Sequence, residues 1–435
     1  MLQSCRLPVT WYEWQQWRRI PMLDRKLGAR AKLLIFLYVV ASAALIYVLD
    51  LNTFSNFVPS DRIPKTAESD FALMAEAWNT IRKVYVDRSA LKPRAITYGA
   101  IGGMVDSLGD NGHSTFLTPE MIREERKVTE GKYKGVGIEL RMEKGHALIV
   151  APLDGSPAQK AGLRSGQFIT AVDGNNLLGL NLIEIVNLIS GPSGTGVRLT
   201  IFDPETDSSR DVSLTRASIN VENVRWKRLQ DTGMAQLRIA GFSNGVTKDI
   251  RKALTEIKSQ GIRGIILDLR DDPGGLLEEA VGCTSQFLER GNVLLEKNAE
   301  GKIRPVPVRQ GGVAVRIPMV VLVNRGTASA AEIMAGAIQD AGRAKLVGKK
   351  TFGTGTVLGQ FNLSDGSALM LAVDEWLTPK GHSIWHKGIT PDMDVSLPQG
   401  VLPLIPEEER ALTQAKLQAS RDTQLMAAIK LLTAN

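Results

Sequence analysis

One stretch of this chain runs for 17 residues without a charge: Leu33 to Leu49, reading LLIFLYVVASAALIYVL. A membrane-spanning helix needs roughly 17–25 such residues. It is the one long apolar run in the sequence, which excludes a multi-pass membrane protein and leaves the rest of the chain to fold in water. Asp50 closes the run. Before it, Arg6, Arg18, Arg19, Arg25, Lys26, Arg30 and Lys32 stand against Glu13 and Asp24, a local charge of +5. The whole chain carries +7, so residues 33–435 carry only +2. The basicity is therefore confined to a short tail and does not mark a nucleic-acid binder. Positive charge before a span places the N-terminus in the cytoplasm and the body outside it. A cleaved signal peptide is the alternative, because Ala41-Ser42-Ala43 fits a small-residue cleavage site. The run continues past that site and the basic region is long, which favours an uncleaved anchor. Trp11, Trp14 and Trp17 suit either an interfacial helix or a plain cytoplasmic tail.

The chain as a whole has an ordinary globular composition, 43% hydrophobic and 23% charged, and its 435 residues suggest two or three domains. Two cysteines make no disulfide framework, and the four histidines have no metal-ligand spacing. Cys5 and Cys283 would lie on opposite sides of the membrane. Cys283, in AVGCTSQFL, reads as a small buried hydrophobe.

Residues 52–65 read as a linker. Phe71, Met74, Trp78, Ile81 and Tyr85 then follow helical steps, and a second helix is expected over about 93–108. From Gly131 to Ala217 short β-like runs (GVGIEL, HALIVAPL, GQFITAVDG, GVRLTIFD) alternate with glycine turns, interrupted by helix candidates at Pro157–Ala161 and Leu182–Ile189. After Asn220, buried-type strands such as GIILDL and MVVLVN alternate with helices over Asn244–Ser259 and Ala328–Asp340, the pattern of an α/β core. Pro406 onward is amphipathic and helical.

Seven blocks in order now carry a family resemblance: LGDNGHSTFLTPE (108–120), YKGVGIEL (133–140), GSPAQKAGLRSGQFITAVDG (155–174), LRIAGFSNGVTKDIRKAL (237–254), GIILDLRDDPGGLLEEAV (264–281), VLVNRGTASAAEIMAGAIQDAGRAKLVGKKTFGTGTV (321–357) and LTPKGHSIWHKGITPD (377–392). Over roughly residues 70–400 the chain resembles the carboxyl-terminal processing, or tail-specific, proteases, serine peptidases with an embedded PDZ domain. Gly135-Val136-Gly137-Ile138 can present consecutive backbone N–H groups to a C-terminal carboxylate, beside a strand that pairs with an extended peptide. Taken alone it is equally a glycine-rich turn. Gln167 departs from the aspartate usual in the family. Ser329 starts a helix after a strand, where helix N–H groups can hold an oxyanion; alone it reads as an N-cap. The resemblance makes Ser329 the nucleophile. It also makes Ala330 N–H and the backbone of Gly274 or Gly275 the oxyanion hole, although Pro273-Gly274-Gly275 alone is a sharp turn.

The family's general base, a lysine, lies 25 residues after the serine, with a glutamine four residues further on. Those positions are Thr354 and Leu358 here. Threonine is no base near neutral pH, and losing a positioned base costs ~10²–10⁴-fold in rate. Lys350 and Lys349 are four and five residues before Thr354, four extended residues spanning roughly 13 Å. Lys380, His382 and His386 are further candidates, each also readable as a surface residue. His113 reads as a contact of the helical module and His146 as a strand-turn residue.

The resemblance implies an α/β and α+β multidomain chain: a basic tail (1–32), an anchor (33–49), a linker (50–66), a helical module (67–130), a PDZ domain (131–217), an α/β peptidase core (218–400) and a C-terminal helix (401–435). The expected partners are the C-termini of exported proteins and, through one helix, the cell membrane, with self-association through the terminal helices. No cofactor, metal or nucleic acid is implied. Two functions follow: a serine endopeptidase, or an inactive relative that binds peptides as a scaffold or chaperone.

Overall fold

The computed structural model describes residues 63–435, apart from 111–113, 129–131, 407–413 and the positions 181 and 435. The basic tail, the apolar run Leu33–Leu49, Cys5 and His113 lie outside the described residues. Within these, no helix is long and apolar enough to cross a membrane. Ser69–Asn435 forms one compact unit.

Two helices come first, α1 (Glu68–Val84) and α2 (Pro93–Asp106). Pro93 opens α2, where its missing N–H costs nothing and its fixed φ suits the helix. The predicted apolar steps do form α1, yet Phe71, Met74 and Ile81 remain exposed and no residue of the helix is buried.

An antiparallel sheet follows. Its strands β1 (Ile138–Glu143), β2 (His146–Pro152), β3 (Phe168–Val172), β4 (Gly196–Asp203) and β5 (Ser208–Thr215) lie side by side in chain order, with β1 at one edge. Helix α3 (Leu182–Ile189) packs beside β1. Ile149, Ile169, Ile185, Leu199 and Ile201 fill the space beneath it. The departure at Gln167 has a local use. Its side chain accepts from Arg164 N–H at 3.0 Å and donates to Asp203 at 2.9 Å, so a neutral amide bridges a donor and a carboxylate.

The core sheet runs β6 (Val224–Leu229), β7 (Met234–Ile239), β8 (Gly264–Asp268), β9 (Met319–Val323), β10 (Lys345–Gly348) and β11 (Met393–Asp394), also in chain order. Only the β6–β7 pair is antiparallel. Helices α4 (Val246–Ser259), α5 (Leu277–Thr284) and α6 (Ala330–Asp340) connect or follow its strands. Side chains alternate across a strand, so the apolar runs GIILD and MVVLV feed two cores. Ile265, Leu267, Val321 and Val323 pack with α4, α5 and α6. Ile266, Val320 and Leu322 pack on the other face with Leu425, Ala428 and Ile429.

Those last residues belong to α7 (Thr423–Thr433). The expected C-terminal helix is thus two, Gln414–Ala419 and α7. Arg421 takes a left-handed φ of 58° at the break. The break frees Asp422 to cap α7 at Leu425 N–H and to pair with buried Arg270 at 2.8 Å.

A third sheet was not foreseen. Ala368–Leu377 is its spine, paired with Thr115–Leu117, Asn292–Asn298 and Thr356–Asn362, and Ile303–Pro307 adds to Asn292–Asn298. Its strands are mixed in polarity, so neither a clean alternation nor an apolar run announces them.

Candidate active site

Strand β9 delivers the chain to the loop 324–328, and Ser329 then turns it into α6. The helix starts one residue after Ser329, which holds φ 54° and ψ −124°. Such a backbone costs a non-glycine residue free energy and persists only where the surroundings fix it. Gly274 is one such neighbour. It has φ +99°, and a Cβ there would lie 2.5 Å from Ser329 Cβ and 2.8 Å from Ala330 N. The Pro273-Gly274-Gly275 turn therefore presses directly on the serine. Gly274 N–H is engaged by Asp272 Oδ1 at 2.8 Å. The N–H groups of Gly275 and Ala330 meet no acceptor among the described residues. Of the two glycines, Gly275 is thus the one with a donor to offer. Burial pushes the Asp272 carboxyl well above the ordinary carboxylate range, against the Gly274 N–H and Arg238; its Oδ2 is sealed without a partner.

Glu332 organises the other side. It is fully buried one turn into α6. Its Oε2 accepts from Ser329 N–H at 3.1 Å and from Thr354 N–H at 2.8 Å. Its Oε1 accepts from Gly353 N–H at 2.8 Å and from the Thr351 hydroxyl. Ser329 and Thr354 are thus pinned to one carboxylate oxygen. Burial pushes the Glu332 carboxyl up to about 7, against the pull of those four donors. Glu332 had no assigned role in the sequence, but Ser329-x-x-Glu332 has capping-box spacing, which was a usable signal.

Thr354 is 2% exposed, and its hydroxyl has no hydrogen-bond partner. Leu358 does not join the cluster: it sits 37% exposed on the strand Thr356–Asn362, one residue after a bulge. Of the alternative bases, His386 lies nearest, its backbone N–H held by the Gly353 carbonyl at 3.0 Å. Lys349 pairs with Asp394 at 2.6 Å, and Lys350 is exposed. His382 faces Asp340, His386 stacks on Trp385, and His146 meets Phe168 edge-on. Lys380 is exposed, its backbone held by Asp340. A cavity of about 1060 Å³ flanks β6 and α4 and contains none of Ser329, Glu332 or Thr354.

At the antiparallel sheet, the carbonyls of Val136 and Gly137 are engaged by Ala158 and Leu153 N–H, both at 3.0 Å. The N–H groups of Val136 and Gly137 have no acceptor among the described residues. Gly137 has φ +76°, and a Cβ there would strike Ser156 Cβ at 2.3 Å. With Gly135 buried and Ile138 opening β1, the segment forms a donor-bearing turn at the head of an edge strand.

Two family descriptions match: peptidase family S41 over residues 233–395, and PDZ domain over 148–201. The carboxy-terminal processing protease CtpA of Bacillus subtilis is 34% identical over 360 residues, 83% of this chain and 75% of that protein. The chain belongs to the carboxyl-terminal processing serine peptidases. A second member, the carboxyl-terminal-processing protease of Synechocystis, is 36% identical over 82% of this chain and 81% of its own length. Among solved structures, the photosystem II D1 C-terminal processing protease aligns with TM-score 0.63 and 31% identity. It covers 76% of this chain and 95% of its own. The α/β core, the PDZ domain and the serine-type peptidase family are thus established for this carboxyl-terminal processing peptidase.

Proposed function

We propose that the chain is a membrane-anchored endopeptidase that takes hold of C-terminal tails of extracytoplasmic proteins through its PDZ domain and cleaves them with Ser329, slowly. The observation that carries this reading is the fit of Gly274 against Ser329 and Ala330. A plain N-cap needs no such constraint, whereas a nucleophile beside an oxyanion site does. In the cleavage step Ser329 Oγ attacks the scissile carbonyl. Ala330 N–H and Gly275 N–H face the developing oxyanion. With Thr354 in the base position, the serine proton passes to water; the tetrahedral intermediate then breaks the amide bond and expels the protonated amine, water hydrolyses the acyl-serine, and the rate falls by ~10²–10⁴. Leu33–Leu49 anchors the chain with its N-terminus inside and residues after 50 outside.

A second reading, a peptide-binding scaffold or chaperone without turnover, is favoured by Thr354 itself. It fills the base position with a buried, unpaired hydroxyl and leaves Glu332 to hold three backbone N–H groups and the Thr351 hydroxyl. One comparison separates the two. The full chain, its Ser329→Ala variant and the double variant Thr354→Lys with Leu358→Gln are each given an unstructured polypeptide with an apolar C-terminus. Slow cleavage by the natural chain that vanishes in Ser329→Ala supports the peptidase, and the double variant should then be faster by about 10²-fold or more. Cleavage by the double variant alone supports the scaffold.

A further inference from the structure

The edge strand β1 leads from the donor-bearing turn toward the peptidase core. At its far end Arg141, Met142 and Glu143, with Phe168 of β3, line a cavity of about 700 Å³. The opposite wall is Phe352, Gly353 and His386, immediately beside Thr354. The Arg141 guanidinium lies 5.8 Å from the Phe352 ring centre, and its Nε is sealed without a partner. Lys350 and Lys387, both exposed, complete the rim and make no ion pair among the described residues. Two further cations are neutralised, Lys349 by Asp394 and Arg325 by Glu205. Of the remaining charged lining residues, Arg141, Lys350 and Lys387 outnumber Glu143, although Lys387 also interacts with Glu375 outside the cavity. Burial pulls Arg141 below its ordinary value, while Glu139, Glu332 and Asp110 hold its charge in place.

A peptide that adds to β1 with its carboxylate on Val136 and Gly137 runs antiparallel to the strand. Each residue advances about 3.4 Å, so the residues about three to six before the C-terminus lie beside this cluster. We propose that the cleft between β1 and the Phe352–Gly353 loop selects tails carrying acidic residues at those positions. The inference rests on tail binding by the PDZ domain and adds the substrate class. It assigns Arg141, Lys350 and Lys387 as specificity residues.

The test uses the full chain in detergent and fluorescent 12-residue peptides ending in the same apolar residues. Glutamate, glutamine or lysine occupies the positions three to six before the end, and each peptide is also made with an amidated C-terminus. Anisotropy titration should give the acidic peptide a Kd roughly tenfold below that of the glutamine peptide at low salt. The gap should close in 1 M salt and in the variant Lys350→Glu with Lys387→Glu, which lies on exposed positions and leaves the fold intact. Equal Kd values for the three free-acid peptides, each weakened by amidation, would overturn the acidic preference and leave tail binding standing. A charge preference that amidation does not touch would overturn tail capture and the register built on it. No binding by any peptide overturns both.

Discussion

Glu332 is the residue on which the candidate site turns. In the unfolded chain its carboxyl ionises near the ordinary value, while the folded protein holds its proton up to about pH 7. Between about pH 4.5 and 7 the folded state therefore binds more protons, and stability falls as pH rises through that window. The loss is at most about 3 kcal/mol. Glu332→Gln removes this contribution, so its melting temperature should decline less steeply over the same range than that of the natural chain, with the raised carboxyls of Asp272 and Asp271 left to titrate. A parallel decline in both proteins would assign the slope to another group. The residue scale is also where the sequence was most legible. Ser329 and Thr354 were singled out by the family resemblance, and the structure ties both backbones to Glu332. Glu332 was hidden because its work is done through backbone N–H groups of a segment 21 and 22 residues away, and no spacing rule encodes that.

Among elements, the oxyanion turn and helix α6 are fitted to each other through Gly274. Gly274→Ala would place a methyl within 3 Å of both Ser329 Cβ and Ala330 N at a φ that L-residues avoid. We expect about 1–3 kcal/mol of destabilisation. In the Thr354→Lys, Leu358→Gln background, we also expect loss of cleavage without loss of tail binding. Unchanged cleavage would mean that the turn plays no part in holding the oxyanion. The apolar strands β8 and β9 were readable because both their faces are buried and their runs are continuous. The sheet built on Ala368–Leu377 was not, since its strands are half-exposed and gain their register from distant partners. Helix α1 was read correctly as a helix. Its stripe predicts a buried face, but Phe71, Met74 and Ile81 remain exposed.

Across the whole molecule, the PDZ domain and the core share a buried ion pair. Arg238 of β7 holds Asp154 in two bonds of 2.7 Å, with both side chains 1% exposed. Asp268 lies 3.6 Å from the same guanidinium. Removing one partner strands a buried charge. Asp154→Ala should therefore lower stability by about 3–5 kcal/mol, read by chemical denaturation. A loss below 1 kcal/mol would show that Asp268 alone satisfies Arg238. No pattern in the sequence joins positions 154 and 238; the pair exists only because the two sheets pack together.

The carboxylate of Glu332 grips residue 354 by its main chain, so the hold on the backbone there does not depend on which side chain that residue carries. On the proposed roles of Ser329 and residue 354, chemistry and architecture are uncoupled: a substitution at 354 would alter the reaction and leave the backbone around Ser329 in place. The same separation makes the change reversible. A base returned to residue 354 would meet a main chain already held in place, with position 358 the other site to rebuild.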